Sequence, residues 1–303
     1  MNRKGEKMPA YKTHAIYGEI VLPQIDKEVD IDKEYMKLYS FGPDSLITTD
    51  YRTFEYQHIH KVKIYFEHIL KHIKKNGLQD NSEVIAFLYG QLAHYILDVF
   101  THPLINYMTE NVDSQKFLTQ HAIVEMWIDD YIMQRFGKTE TFYFHKNRIS
   151  DRELIGLINK VYRKVYHVLN EANKYNIGMT LMTILDSLGR TNIIVLFPAI
   201  LKICSIGDVT FGDPQRVLPY LNLDHQTWTN PVSGEKSQDS FDDLWDKSID
   251  VYLETIDDVN RYLYRGKNFT NSLISNNISY NTGFRCKRIE RLPYVKTILK
   301  KMH

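Results

Sequence analysis

The chain has 303 residues, 43% hydrophobic and 25% charged, with a formal net charge of +1. That length is enough for one large domain with a buried core and no covalent staples, and a near-neutral balance provides no global field to draw in nucleic acid or an anionic membrane. Cys204 and Cys286 are the two cysteines, which excludes a disulfide framework and a zinc ribbon and fits a reducing, cytoplasmic setting.

The opening stretch "MNRKGEKMPAYKTHAIYGEI" has charges but no apolar core behind them, so it does not read as a secretory signal. Residues 1–10 read as a flexible leader. Residues 11–22 repeat at helical spacing, with His14, Tyr17 and Gly18 on one face. In "SFGPDSLITTD", Pro43 fixes φ and removes a donor, so Asp44 sits in a loop or a helix start. Residues 54–75, "FEYQHIHKVKIYFEHILKHIKK", read as one amphipathic helix whose lysines suit its C-terminal turn.

Asn81 or Ser82 caps the next helix, expected over about 82–101. Pro103 should end it, because the residue before a proline is pushed out of the α region. Residues 115–136 form another helix with Gly137 as its stop. Further helices are expected near 151–171, 177–189, 191–204 and 240–265, with a long loop over 205–239. From 276 the chain is rich in Lys and Arg and reads as a basic tail. No run of alternating strands stands out, so the fold class is all-α, with one domain over 11–275. The longest strongly apolar stretch, "NIIVLFPAILKICSI", is too short to span a membrane and carries Pro198 and Lys202.

Polar residues in the apolar helices carry the chemistry. His94 and Asp98 lie four apart, as do His121 and Glu125, so each pair shares one helix face. Each offers an imidazole nitrogen and a carboxylate oxygen to one point, the donor mixture that Zn2+ accepts. A buried carboxylate in such company is costly unless it is paired or binds a metal. His102, expected beyond the helix end, should point away from His94 toward a different ion. The chain has no HExxH, no adjacent His-Asp dyad, no Gly-rich phosphate loop and no GxSxG. Its His-x-x-x-Glu spacing also differs from the Glu-x-x-His of di-iron bundles.

The ordered set His14, Asp44, His58, His94, Asp98, His102, His121 and Glu125 resembles the zinc-dependent phospholipase C family, which is related to the S1/P1 nucleases. The block "LNLDHQTWTNPVSGEKSQDSFDDLW" resembles the bacterial branch of that family. The resemblance implies an all-α fold with two or three zinc ions in a cleft between helices. It gives one ion to His58, His94 and Asp98, with Asp44 either binding it or acting as the catalytic group on the attacking water. It gives a second ion to His14 and a bridging Asp98, and a third to His102, His121 and Glu125. The resemblance also implies His58 over His60, since the family places its ligand seven residues before an aromatic pair, here Tyr65-Phe66. His225 is expected to stabilise its loop.

Secreted relatives supply an N-terminal Trp as a further ligand beside the His14 counterpart, and no Trp precedes His14 here. The implied activity is zinc-dependent hydrolysis of a phosphate ester, most naturally a phospholipid headgroup. An S1/P1-like nuclease and a catalytically weak metal-binding protein of the same fold are the alternatives. No specific nucleic-acid signal is present. The basic tail is a candidate for transient contact with anionic lipid, though a solvated terminus is the simpler reading.

Overall fold

The computed structural model describes residues 11–26, 28–109, 114–138, 148–187 and 214–285. The leader at 1–10, the helix expected at 191–204, and the basic residues from 286 onward lie outside the described residues. The helices are α1 (Tyr11–Val21), α2 (Lys33–Tyr39), α3 (Tyr51–Ile59), α4 (Val62–Asn76) and α5 (Ser82–Thr109). They continue with α6 (Ser114–Arg135), α7 (Arg152–Val165), α8 (Glu171–Ser187), α9 (Phe241–Tyr264) and the short α10 (Ser272–Ser275). Gly42–Leu46 forms a 3-10 turn, as does Pro214–Tyr220. A two-residue antiparallel pair, Trp228–Thr229 with Lys236–Ser237, interrupts the expected 205–239 loop.

Helix α5 is the axis of the fold. It packs against α1, α2, α6, α7 and α9 and is buried on nearly every side. A helix apolar all round belongs in a core or a membrane. This one is long and apolar enough to cross a membrane, yet 94% of its apolar window is covered by the protein itself. Asn81 caps it, its side-chain oxygen accepting from the amides of Glu83 and Val84.

Three expectations about helix boundaries are corrected. Pro103 does not end α5, which continues to Thr109. Proline removes the amide that would bond to the carbonyl of Val99. The helix tolerates this because its neighbours hold it: Asn106 donates to the carbonyl of Asn281, and Gly283 lies against Val99 and Pro103. Nor is 54–75 one helix. The backbone is extended at His60 and left-handed at Lys61 (φ 60°), which separates α3 from α4. The carbonyl of His58, which a continuing helix would bond to the amide of Val62, instead accepts from Ser279 Oγ at 3.0 Å. Lys61 Nζ donates to the carbonyl of Val165, the last residue of α7, at 2.6 Å.

A similar break divides the expected 151–171 helix, with His167 and Asn170 both at φ 61°. Asp151 caps α7 through the amide of Leu154. At the end of α6, Gly137 takes the left-handed conformation that the sequence suggests. Residues 276–285 are not part of a solvated tail. Ser279, Tyr280 and Thr282 are buried, and this segment packs against α5 and the α3–α4 junction.

Candidate metal centre

Five elements bring the site together. α1 supplies His14, the 3-10 turn Gly42–Leu46 supplies Asp44, and the last turn of α3 supplies His58. α5 supplies His94, Asp98 and His102, and α6 supplies His121 and Glu125. His14, Asp44, His58, His94, Asp98 and His102 are all buried, and His121 and Glu125 are partly so.

Asp98 lies at the centre, and its two oxygens face different ways. Oδ2 is 3.1 Å from His94 Nε2 and 3.7 Å from His58 Nε2. Oδ1 is 3.3 Å from His14 Nε2 and 3.6 Å from His102 Nε2. Asp44 Oδ1 lies 3.2 Å from His58 Nε2 and 3.8 Å from His94 Nε2. At the other end, Glu125 Oε1 meets His121 Nε2 at 2.9 Å and His102 Nε2 at 3.1 Å.

All eight residues read from the sequence therefore converge. Their donor atoms fall into three groups: His14, His94 and Asp98; Asp44, His58 and His94; and His102, His121 and Glu125. Within each group the donors lie within 4.8 Å of one another. Contrary to the expectation from Pro103, His102 does not leave the helix. It stays in helical register, four residues after Asp98, and faces Asp98 and Glu125 together. His58 joins the cluster, whereas the ring of His60 packs on Tyr56 at 4.6 Å. His225 lies apart, its Nδ1 3.2 Å from the carbonyl of Gln238 in its own loop.

The electrostatics follow from the crowding. Burial pushes Asp98 up, but His102, His94 and His14 outweigh it and hold the carboxyl well below its usual range. Burial likewise opposes charge on His102, yet Asp98 and Glu125 raise it to about 9. His14 is raised by Asp98 against the same burial. His94 goes the other way, lowered by burial and by the neighbouring His14. Glu125 is held far below its usual range by His121 and His102 despite burial.

The donor set fits zinc. A tetrahedral shell of radius about 2.0–2.2 Å spaces its ligand atoms roughly 3.3–3.6 Å apart, and most of the contacts above fall near that spacing. His58 Nδ1 donates to the carbonyl of Phe54 at 2.8 Å, which leaves a lone pair at Nε2. That nitrogen faces His94 Nε2 at 3.5 Å. Nδ1 of His14, His94 and His102 is buried with no hydrogen-bond partner among the described residues, so each ring is oriented there through whatever meets its Nε2. Two imidazoles and two carboxylates aimed at one point are stable together when a cation lies among them.

Surrounding residues hold these groups in place. Gly42 has φ +57°, and a Cβ there would come 2.3 Å from the His94 ring. The Asp44 turn can lie against His94 because that side chain is missing. Asp129, fully buried on α6, accepts from both the amide and the hydroxyl of Thr13 at 2.8 Å. It thereby fixes α1 next to His14. A sequence signal for Asp129 existed, since His121, Glu125 and Asp129 form one i, i+4, i+8 stripe. Ser279 and Tyr280 were missed altogether. Tyr280 is fully buried, with its ring 5.2 Å from His58 and 5.8 Å from His94, and nothing in the basic composition around it points to that position.

No curated protein and no solved structure matches this chain. The model of the zinc-dependent phospholipase C family matches residues 13–172, a span that contains all eight convergent residues. The chain belongs to the zinc-dependent phospholipase C family.

Proposed function

We propose that the protein hydrolyses the phosphodiester of a phospholipid headgroup. Its family supports a zinc-dependent phosphoesterase in general. The observation that carries the hydrolytic reaction is the placement of Asp98 and Asp44, and the phospholipid substrate follows from the family. Asp98 turns one oxygen toward His94 and His58 and the other toward His14 and His102. A carboxylate so placed can serve two adjacent cations at once, which imidazole cannot.

His58, His94 and Asp98 would hold one zinc ion, with Asp44 either a further ligand or the group that acts on the water, and His14 with Asp98 would hold a second. His102, His121 and Glu125 would hold a third. When bound, such ions supply Lewis-acid chemistry, lowering the pKa of a bound water and neutralising charge on phosphoryl oxygens. Asp44 is the candidate base. It is buried, and its Oδ1 lies within 4 Å of both His58 and His94, so its carboxylate can take the proton of a water held there. Water adds to phosphorus as Asp44 takes its proton, the P–O bond to the glyceride oxygen breaks, and that oxygen leaves as the alcohol carrying the proton that Asp44 gives up. Partly exposed Phe54, 4.5 Å from His58, with Tyr51 beside it, offers an aromatic face for the headgroup.

Protein purified without added metal and analysed for zinc, then assayed on phosphatidylcholine vesicles and on a chromogenic phosphodiester, tests this. The expected result is bound zinc and headgroup release that His94→Ala abolishes. Cleavage of single-stranded DNA in place of lipid would move the substrate to nucleic acid. Equal activity in wild type and His94→Ala would remove the reaction from this site.

A further inference from the structure

We infer that Ser279 and Tyr280 are positioning residues for the metal-facing histidines, forming a clasp that ties His58 to His94. The inference rests on the reading that these two histidines hold a metal ion. They come from different helices, α3 and α5, and their Nε2 atoms approach to 3.5 Å. Two ligands on separate helices keep such a spacing only if something fixes the helices against each other.

Residues 277–283 make that connection. On the α3–α4 side, Ser279 Oγ donates to the carbonyl of His58 at 3.0 Å, and Asn277 Oδ1 accepts from the amide of Lys63 at 3.1 Å. On the α5 side, the carbonyl of Ile278 accepts from Tyr95 Oη at 3.1 Å, and the carbonyl of Asn281 accepts from Asn106 Nδ2. The segment is closed on itself by the amide of Ser279 donating to Phe284 and that of Gly283 donating to Ser279. Between these anchors the ring of Tyr280 is inserted, fully buried, against His58, His94 and Tyr95.

The Ser279 bond has a specific physical role. It occupies the carbonyl freed where α3 stops, one residue after the His58 side chain has been aimed inward. Without it, that buried carbonyl loses its partner and the end of α3 is free to rewind toward Val62. Tyr280 acts differently, as a wall: its ring limits how far either imidazole can turn. Gln57 faces its hydroxyl, but the hydroxyl makes no well-formed hydrogen bond among the described residues, whereas the ring touches both imidazoles. The clasp also lies beyond residues 13–172, so it is an addition from the C-terminal part of this chain to the family-matched core.

The test measures the rate at which zinc-loaded full-length protein releases zinc to a chromogenic chelator, together with the visible spectrum of the cobalt-substituted protein. Ser279→Ala and Tyr280→Leu should each speed release about tenfold, the lower end for lost support of a ligand, and alter the cobalt bands. Tyr280→Phe should restore the wild-type rate and spectrum. Thermal melting identifies a variant that fails to fold, and if Tyr280→Leu does so, Ser279→Ala decides. Wild-type release and spectrum in folded Ser279→Ala and Tyr280→Leu overturn the clasp, as does a Tyr280→Phe that behaves like Tyr280→Leu. His58→Ala separates the two levels. If it too leaves the cobalt spectrum unchanged, the assignment of His58 as a ligand fails; if it changes the spectrum and the clasp variants do not, only the clasp fails.

Discussion

Replacing Asp98 by Asn is the sharpest perturbation of the site, because it removes one charge and keeps the shape. Four imidazole nitrogens lie 3.1, 3.3, 3.6 and 3.7 Å from its oxygens. A cation held among those nitrogens lies within about 4 Å of the carboxylate, where, with an effective dielectric of about 20, a pair of unit charges interacts by about 4 kcal/mol. Each 1.4 kcal/mol is tenfold in an equilibrium constant, so losing that interaction weakens zinc binding about a thousandfold. The loss should be shared, since Oδ1 and Oδ2 face different histidines. Asp98→Asn is therefore expected to lower the zinc count at both His94 and His14, and Glu125→Gln to affect only the ion at His102 and His121. Zinc per chain after dialysis, and competition against a chelator of known affinity, measure both. If Asp98→Asn keeps the wild-type count and affinity, Asp98 is a structural hydrogen-bond partner and the shared-ligand reasoning is wrong.

Gly42→Ala should reduce zinc retention more than it reduces the melting temperature, because its Cβ would push directly on the His94 ring while the left-handed backbone costs only about 1–2 kcal/mol; an unchanged zinc content refutes this. His58→Ala should lose metal while His60→Ala keeps it, and the reverse pattern in metal analysis would exchange their roles. The metal-free protein should become less stable between pH 6.5 and 9. Burial opposes charge on His102 but Asp98 and Glu125 raise its pKa to about 9, and a raised pKa gives stability present below 6.5 and lost as pH climbs through the folded value. The effect is on the order of 3 kcal/mol, and a melting temperature flat or rising over that window contradicts it. Asp98 and Glu125, held low, give stability that is lost only in acid, so they do not offset the fall. Zinc affinity should rise over the same window, because binding must displace the His102 proton.

Much of the site was legible in the sequence because helical periodicity is local. His94 and Asp98, or His121 and Glu125, share a face wherever their helices go, and apolar neighbours show which face is buried. The positions of His14 and Asp44 were not derivable from spacing. They lie on different elements, and only the resemblance to a known family placed them with the others. The misread boundaries have a common cause. Pro103 was expected to end α5 on local grounds, yet the helix continues because its contacts outweigh the missing hydrogen bond. The stretch 54–75 looks continuous on local grounds too, since it contains no Gly or Pro, yet it breaks at Lys61.

In both places the overriding partner comes from residues 277–285, more than 170 positions away, in a segment whose basic composition suggested a solvated tail. Ser279 takes the His58 carbonyl where α3 stops, and Gly283 lies against Val99 and Pro103 where α5 carries on. Local sequence thus states which donors can share a face. The distant segment decides where the helices carrying them begin and end, and through that, how closely His58 and His94 approach. A chain truncated before residue 276 is for this reason expected to retain helical circular dichroism but to bind zinc at the His58 and His94 group more weakly than the full chain. Equal zinc affinity in the two would show that α3, α5 and their contacts within the helical core are sufficient to set the site.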